Sequence, residues 1–135
     1  MKPQVFLNRD FWYAVVGASK NPEKYGYKVL LDFARAGLRA VGVNPKYREI
    51  EGLKCFPNLS AVAPKPDVAI FVVPPIIGLN IVDEAYKLGI TKLWFQPGAE
   101  SAALIAKAKR LEMTINTRGS CIIVARQRMF RKSLW

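Results

Sequence analysis

The sequence predicts an α/β fold, a three-layer sandwich in which helices cover both faces of a mostly parallel sheet of five or six strands. Three observations carry that expectation. Five short apolar runs alternate with stretches of helical spacing, glycine follows the first two of those stretches, and 135 residues suffice for one domain with a real core but not for two. Strands that alternate with helices need crossovers, which are right-handed and make the strands parallel. Helices on both faces bury such strands, so their runs are continuously apolar.

Taken in order, Trp12 to Val16 is the first strand. Tyr27 to Ala36 repeats apolar residues at three and four positions (Val29, Leu30, Phe33, Ala34), predicting a helix that Gly37 ends. Leu38 to Val43 is the second strand. Residues 44–67 break the pattern with Pro45, Gly52, Pro57, Pro64 and Pro66, and read as a long connection with one short helical turn near Asn58 to Val62. Val68 to Val73 is the third strand, and Leu79 to Leu88 the second helix, ended by Gly89. Leu93 to Phe95, a helix over Ala102 to Leu111, and Met113 to Ile115 complete the series. The run Cys121 to Ala125, with Met129, Phe130 and Trp135, is either a last strand or a subunit contact, and a dimer is expected. The domain is placed at 1–125, followed by a mobile basic tail, 126–135, with Arg126, Arg128, Arg131 and Lys132.

Composition narrows the function classes. No apolar run approaches the roughly 18 to 20 residues that span a bilayer, and the first residues lack the apolar core of a signal peptide, so no membrane role and a cytoplasmic location are expected. Histidine is absent, which removes the commonest general base and most zinc sites; neither catalytic residues nor a metal site are assigned. Cys55 and Cys121 show no metal spacing and read as small buried hydrophobes. Asp83 and Glu84 read as a solvated helix face rather than an acid/base pair. A net charge of +11 favours an anionic partner.

Ligands of open parallel sheets bind beyond the carboxyl ends of the strands, which selects four loops. In the first, Gly17, Ala18 and Ser19 let backbone amides approach a phosphate, and Lys24, Tyr25 and Gly26 open the following helix. The second is Val43, Asn44, Pro45 and Lys46, where a dinucleotide site would carry an acid for the ribose and this chain offers a lysine for a ribose phosphate, as in CoA or NADP. The third, Val72, Val73, Pro74 and Pro75, supplies apolar walls suited to an adenine ring or a pantetheine arm. The fourth is Phe95, Gln96, Pro97 and Gly98, of which Gln96 and Gly98 are taken as site residues.

The series GASKNPEKYG (17–26), GVNPKYREIEG (42–52), VPP (73–75), EAYKLGITKLWFQPG (84–98) and the Cys121 segment resembles the CoA-binding domain family, a Rossmann-like domain also found at the N-terminus of succinyl-CoA synthetase alpha chains. The resemblance runs from about Trp12 to Cys121. It implies CoA or acyl-CoA as cofactor, with phosphates near Gly17, Ala18, Ser19 and Lys24, adenosine at Val43, Asn44, Pro45 and Lys46, and pantetheine passing Val73, Pro74 and Gln96. In such synthetases the phosphate-carrying histidine and the grasp domain lie elsewhere, so the implied role is binding without catalysis of its own, alone, as a homo-oligomer, or beside a synthetase-like partner chain. The chain departs from the family after Arg118-Gly119-Ser120-Cys121, where Ile122, Ile123 and Val124 replace an acidic position.

Two other readings compete. An NADP-dependent reductase, or the CoA-binding subunit of an acyl-CoA synthetase, shares the charge logic, although the missing second glycine spacing opposes NADP. Nucleic-acid binding accords with pI ≈ 10.0 but not with cations scattered over Lys20, Lys28, Arg35, Arg39, Arg48, Lys107, Lys109 and Arg110 without interleaved aromatics.

Overall fold

In the computed structural model, which describes residues 3–116 and 119–130, the first apolar run forms the central strand. β1 (Trp12–Val16) lies between β2 (Arg39–Val43) and β5 (Val68–Phe71), parallel to both, with Val16 beside Val43 on one side and Phe71 on the other. With β3 (Glu49–Ile50), β4 (Leu53–Phe56), β6 (Lys92–Phe95) and β7 (Thr114–Ile115), the sheet has seven strands in the order β3-β4-β2-β1-β5-β6-β7. Among the described residues only the β3–β4 pairing is antiparallel. The α/β Rossmann-like sandwich expected from the sequence is therefore the fold, with more strands than the five or six predicted.

The additional pair corrects the reading of residues 44–67 as an unpaired connection. Both strands are short, and they turn through Glu51 and Gly52, each at positive φ (51° and 79°), where an Asn-Gly pair would have flagged the hairpin. The expected helical turn is present: Leu59–Ala61 is a 3-10 turn, capped by Asn58 Oδ1, which accepts from the Ala61 amide at 3.0 Å.

Four helices, α1 (Tyr25–Arg35), α2 (Pro75–Leu88), α3 (Ala102–Arg110) and α4 (Ile122–Met129), cover the sheet. Side chains alternate along a strand, so Tyr13 and Val15 join Val29, Leu30, Phe33 and Ile122 of α1 and α4 in one core. Ala14 and Val16 join Val82, Ala85, Leu104 and Ala108 of α2 and α3 in the other. α2 starts before its predicted position because Pro75 occupies the first turn, where a missing N–H costs nothing.

The C-terminal run forms a helix, not the last strand that was one expectation. Arg126, read from the sequence as part of a basic tail, is 3% exposed. Its Nε and Nη2 donate to Asp32 of α1 at 2.8 and 2.6 Å, and its Nη1 to the Phe130 carbonyl at 2.7 Å. α4 thus crosses the division drawn after residue 125. Arg131, Lys132 and Trp135 of the expected tail, and Arg118, lie outside the described residues.

Tyr13 anchors the chain start to this core. Its hydroxyl donates to the Phe6 carbonyl at 2.7 Å and accepts from the Asn8 amide at 3.0 Å, and its ring meets Phe33 edge-on at 4.9 Å. Burial pushes the phenol up to about 12, above its ordinary 10.0. Between those two values the unfolded chain has released a proton that the folded chain still holds, so stability is complete below pH 10 and falls towards pH 12. Denaturant titrations from pH 9 to 12 should show a loss of roughly 2–3 kcal/mol from this group, and Tyr13→Phe should flatten that slope; an unchanged slope would contradict the assignment.

Candidate functional site

From β1 the chain steps outward to β2 and later returns to β5 on β1's other side, and this reversal opens a crevice beyond the strands' carboxyl ends. A cleft of about 610 Å³ lies there. Its floor is Gly17 after β1, Asn44 after β2, Val72 and Val73 after β5, and Pro97 to Ala99 after β6.

The turn from β1 into α1 is built on two glycines. Gly17 has φ 96°, a left-handed conformation that favours glycine, and a Cβ there would meet the Val73 side chain at 2.8 Å. Gly26, in the first turn of α1, has its backbone against Gly17, and a Cβ on it would lie 2.0 Å from the Gly17 oxygen. This contact brings the start of α1 onto the crevice. No side chain caps that start: Lys24 holds the N-cap position without a side-chain bond. The amides of Tyr27 and Lys28 turn back to the Lys24 carbonyl, which leaves those of Tyr25 and Gly26 without a backbone acceptor at the cleft wall. Ser19 Oγ accepts from the Asn21 amide at 3.0 Å, shaping the loop and leaving its own proton to donate.

Asn44 occupies the position of the dinucleotide-site acid, and its side chain is used structurally. Nδ2 donates to the Ala18 carbonyl at 2.8 Å and Oδ1 accepts from the Lys46 amide at 2.9 Å, so the first two loops are tied together. Lys24 and Lys46 are exposed and form no ion pair among the described residues, whereas Lys20 pairs with Glu49 at 3.6 Å. A second compartment of about 410 Å³ adjoins the first through Gly17, Asn44 and Val73 and extends to Val43, Pro45, Pro57 and Ile77.

Of the residues predicted from the sequence, Gly17, Ser19, Lys24, Tyr25, Gly26, Asn44, Lys46, Val73, Pro74, Pro75 and Gly98 line the main cleft, and Val43 and Pro45 the adjoining compartment. Ala18 and Gln96 line neither. Ala18 is fully buried. Gln96 is 2% exposed and faces α4: its Oε1 accepts from the Ile122 amide at 2.7 Å and from the Trp94 indole at 3.1 Å, and its Nε2 lies 3.4 Å from Cys121 Sγ. Val72 and Pro97, which stand in the third and fourth loops but were not taken as site residues, also line the main cleft, and the sequence reading missed Glu23, Tyr47 and Ala99, neighbours of predicted positions whose facing depends on loop geometry. It also missed Pro57, Asn58, Ile81 and Glu84, which reach the site from the end of the unpredicted β4 and from later turns of α2. Tyr47 had a signal, since it stands within the 42–52 stretch.

Asp83 and Glu84 take different partners, Lys107 at 2.6 Å and the Ser60 hydroxyl at 2.7 Å. Burial pushes the Cys55 thiol up, against the smaller effect of its contact with the Asn44 carbonyl. Among the described residues no group of three His, Cys, Asp or Glu side chains could hold a metal, and no helix is long and apolar enough to cross a membrane.

Comparison with known proteins gives a consistent picture. A family model described as a CoA binding domain matches residues 12–127. An ADP-forming acetate–CoA ligase of Methanocaldococcus jannaschii is 35% identical over 77 residues, which are 57% of this chain but only 11% of the ligase. A conserved hypothetical protein of Pyrococcus furiosus superposes with a TM-score of 0.80 at 45% identity, over 84% of this chain and 97% of its own. A dinucleotide-forming acetyl-coenzyme A synthetase of Ca. Korarchaeum cryptofilum, solved with phosphate and ADP, superposes with a TM-score of 0.68 at 30% identity, over 82% of this chain and 26% of its own.

Two outcomes test this geometry. Gly26→Ala should lower stability by about 1–3 kcal/mol in denaturant unfolding, because a methyl group has to displace the Gly17 backbone. In alkylation at pH 8, Cys55, 7% exposed, should react much more slowly than the half-buried Cys121, and equal rates would show that the Asn44 loop opens freely.

Proposed function

This chain belongs to the CoA binding domain family, and we propose that it binds coenzyme A, free or acylated, across the crevice between β1, β2 and β5, as a holding site that carries out no catalysis of its own. One observation carries the reading: the Gly17–Gly26 contact sets an uncapped helix start, with two amides lacking backbone acceptors, between the unpaired Lys24 and Lys46. Backbone amides at a helix N-terminus take a pyrophosphate, and a lysine beyond β2 takes a ribose phosphate. The pantetheine arm then passes Val73, Pro74 and Pro75.

The likeness to CoA ligases supports a second part of the proposal. The ligase of M. jannaschii is named for joining acetate to CoA, and this chain corresponds to about a tenth of its length. A synthetase-like partner chain would supply the rest of such an activity. Tyr25, Ile76 and Ile77, between 51% and 77% exposed at the starts of α1 and α2, are the apolar surface it would cover. An NADP-dependent reductase would use the same cations, but this chain lacks the second glycine spacing of dinucleotide folds.

Calorimetric titration with CoA, dephospho-CoA, NADP and NAD at fixed salt tests the reading. CoA should saturate, and Lys46→Ala should weaken CoA about five- to tenfold while leaving dephospho-CoA unchanged, because only CoA carries the ribose phosphate. Absence of CoA binding at millimolar concentration, or tighter binding of NADP, would reject it.

A further inference from the structure

The second compartment, about 410 Å³, has walls of Val43, Pro45, Pro57, Ile77 and Ile81, and one carboxylate breaks that apolar lining. Glu84 of α2 contributes to the wall, and its side chain is held in place: Oε2 accepts from the Ser60 amide at 3.1 Å and from the Ser60 hydroxyl at 2.7 Å. Its Oε1 carries no hydrogen bond among the described residues. Asn58 shares the wall, and with its Oδ1 committed to the Ala61 amide it has only amide donors to offer.

An apolar slot with one fixed acceptor and one donor suits a flat heteroaromatic ring that carries an exocyclic amine. With Asn58 donating to N7, the edge presented to Glu84 is the one on which adenine carries its N6 amine and guanine its O6 acceptor, while guanine's own N2 amine lies on the far side of the ring. A carboxylate against N6 gains a charge-assisted hydrogen bond, whereas against O6 it sets two acceptors face to face. We infer that Glu84, positioned by Ser60, is the residue that selects adenine over guanine in the nucleotide this site takes. The inference rests on the reading of the cleft as a CoA site. The two compartments meet at Gly17, Asn44 and Val73, so a ligand with its phosphates at α1 has its base in the second one.

The test is calorimetric titration of the full chain with CoA, adenosine 3′,5′-bisphosphate and guanosine 3′,5′-bisphosphate, for the wild type, Glu84→Gln and Ser60→Ala. The wild type should favour the adenosine ligand by roughly ten- to a hundredfold. Glu84→Gln keeps an oxygen for Ser60 and brings an Nε2 donor to the compartment, so the preference should shrink to within about threefold, mainly through tighter guanosine binding. That gain for one ligand is a readout that misfolding cannot produce. Ser60→Ala leaves the carboxylate present and should reduce the preference without abolishing it. A Glu84→Gln variant with the wild-type ratio overturns the role of Glu84, as does a wild type that binds CoA but treats both bisphosphates alike. A wild type that binds no CoA overturns this inference together with the reading beneath it.

Discussion

The rest of the structure depends on a backbone-to-backbone contact. α1 can aim its first turn at the crevice only if residue 26 has no side chain, because the Gly17 oxygen occupies the place of a Cβ. Neighbouring small residues extend the same constraint. Ala18 follows Gly17 and is fully buried, and a Cβ on Gly42 would lie 2.8 Å from the Ala18 methyl group. The ends of β1, β2 and α1 therefore approach one another more closely than ordinary side chains allow. Asn44 then bonds the Ala18 carbonyl, so that the two loops flanking the crevice form one unit. An acid at position 44 would have no amide donor for that carbonyl. In this chain the end of β2 holds the scaffold together, and charge is contributed by Lys46, two residues further on.

α1 is also held along its length. The Arg126–Asp32 pair joins it to α4, with both side chains largely removed from water and the guanidinium further satisfied by the Phe130 carbonyl. A buried ion pair of this kind adds little net stability compared with an apolar pair, but either partner left alone is costly. The pair sets Arg126 of α4 opposite Asp32 of α1 through two hydrogen bonds. Gln96 completes the connection by bonding the first amide of α4 and the Trp94 indole at the end of β6. Asn116 acts similarly at the sheet edge: its side chain accepts from the Phe95 amide at 2.7 Å and donates to the Phe95 carbonyl at 3.0 Å, continuing the ladder beyond β7. Gln96 and Asn116 are amides at strand ends that serve the scaffold.

The five longer apolar runs and the three amphipathic helices were legible because buried parallel strands and half-buried helices leave strong periodicities. β3 and β4 were not, since the hairpin turns on Glu51 and Gly52 and Lys54 interrupts the apolar residues of β4; α4 was not, because its burial depends on Arg126 meeting Asp32, ninety-four positions away. The loops of the candidate site were legible as positions, given that an open sheet puts its crevice at the strand ends. Their side-chain directions were not. Gln96 and Pro97 are adjacent in sequence, yet the first turns into the protein and the second lines the cleft. Glu84 lay beyond sequence reasoning for a related reason: its position follows from a bond to Ser60 in a loop whose path depends on the unpredicted β4.

Two helices begin at the crevice, and their starts differ in chemistry. Each N-terminus carries the positive end of a helix dipole, so the field alone favours anions at both. Donors separate them. α1 leaves the amides of Tyr25 and Gly26 without backbone acceptors. α2 is entered through Pro74 and Pro75, which have no N–H, and the amides of Ile77 and Gly78 return to the Pro74 carbonyl, so the Ile76 amide is the one its first turn leaves without a backbone acceptor among the described residues. Lys24 and Lys46, which form no ion pair among the described residues, stand on the α1 and β2 side, and Val73, Pro74 and Ile77 stand on the α2 side. The crevice is therefore polarised across β1. A ligand with an anionic part and an apolar part is placed by that polarity before any single contact is counted, because the opposite placement would set phosphate against prolines and leave the α1 amides facing carbon.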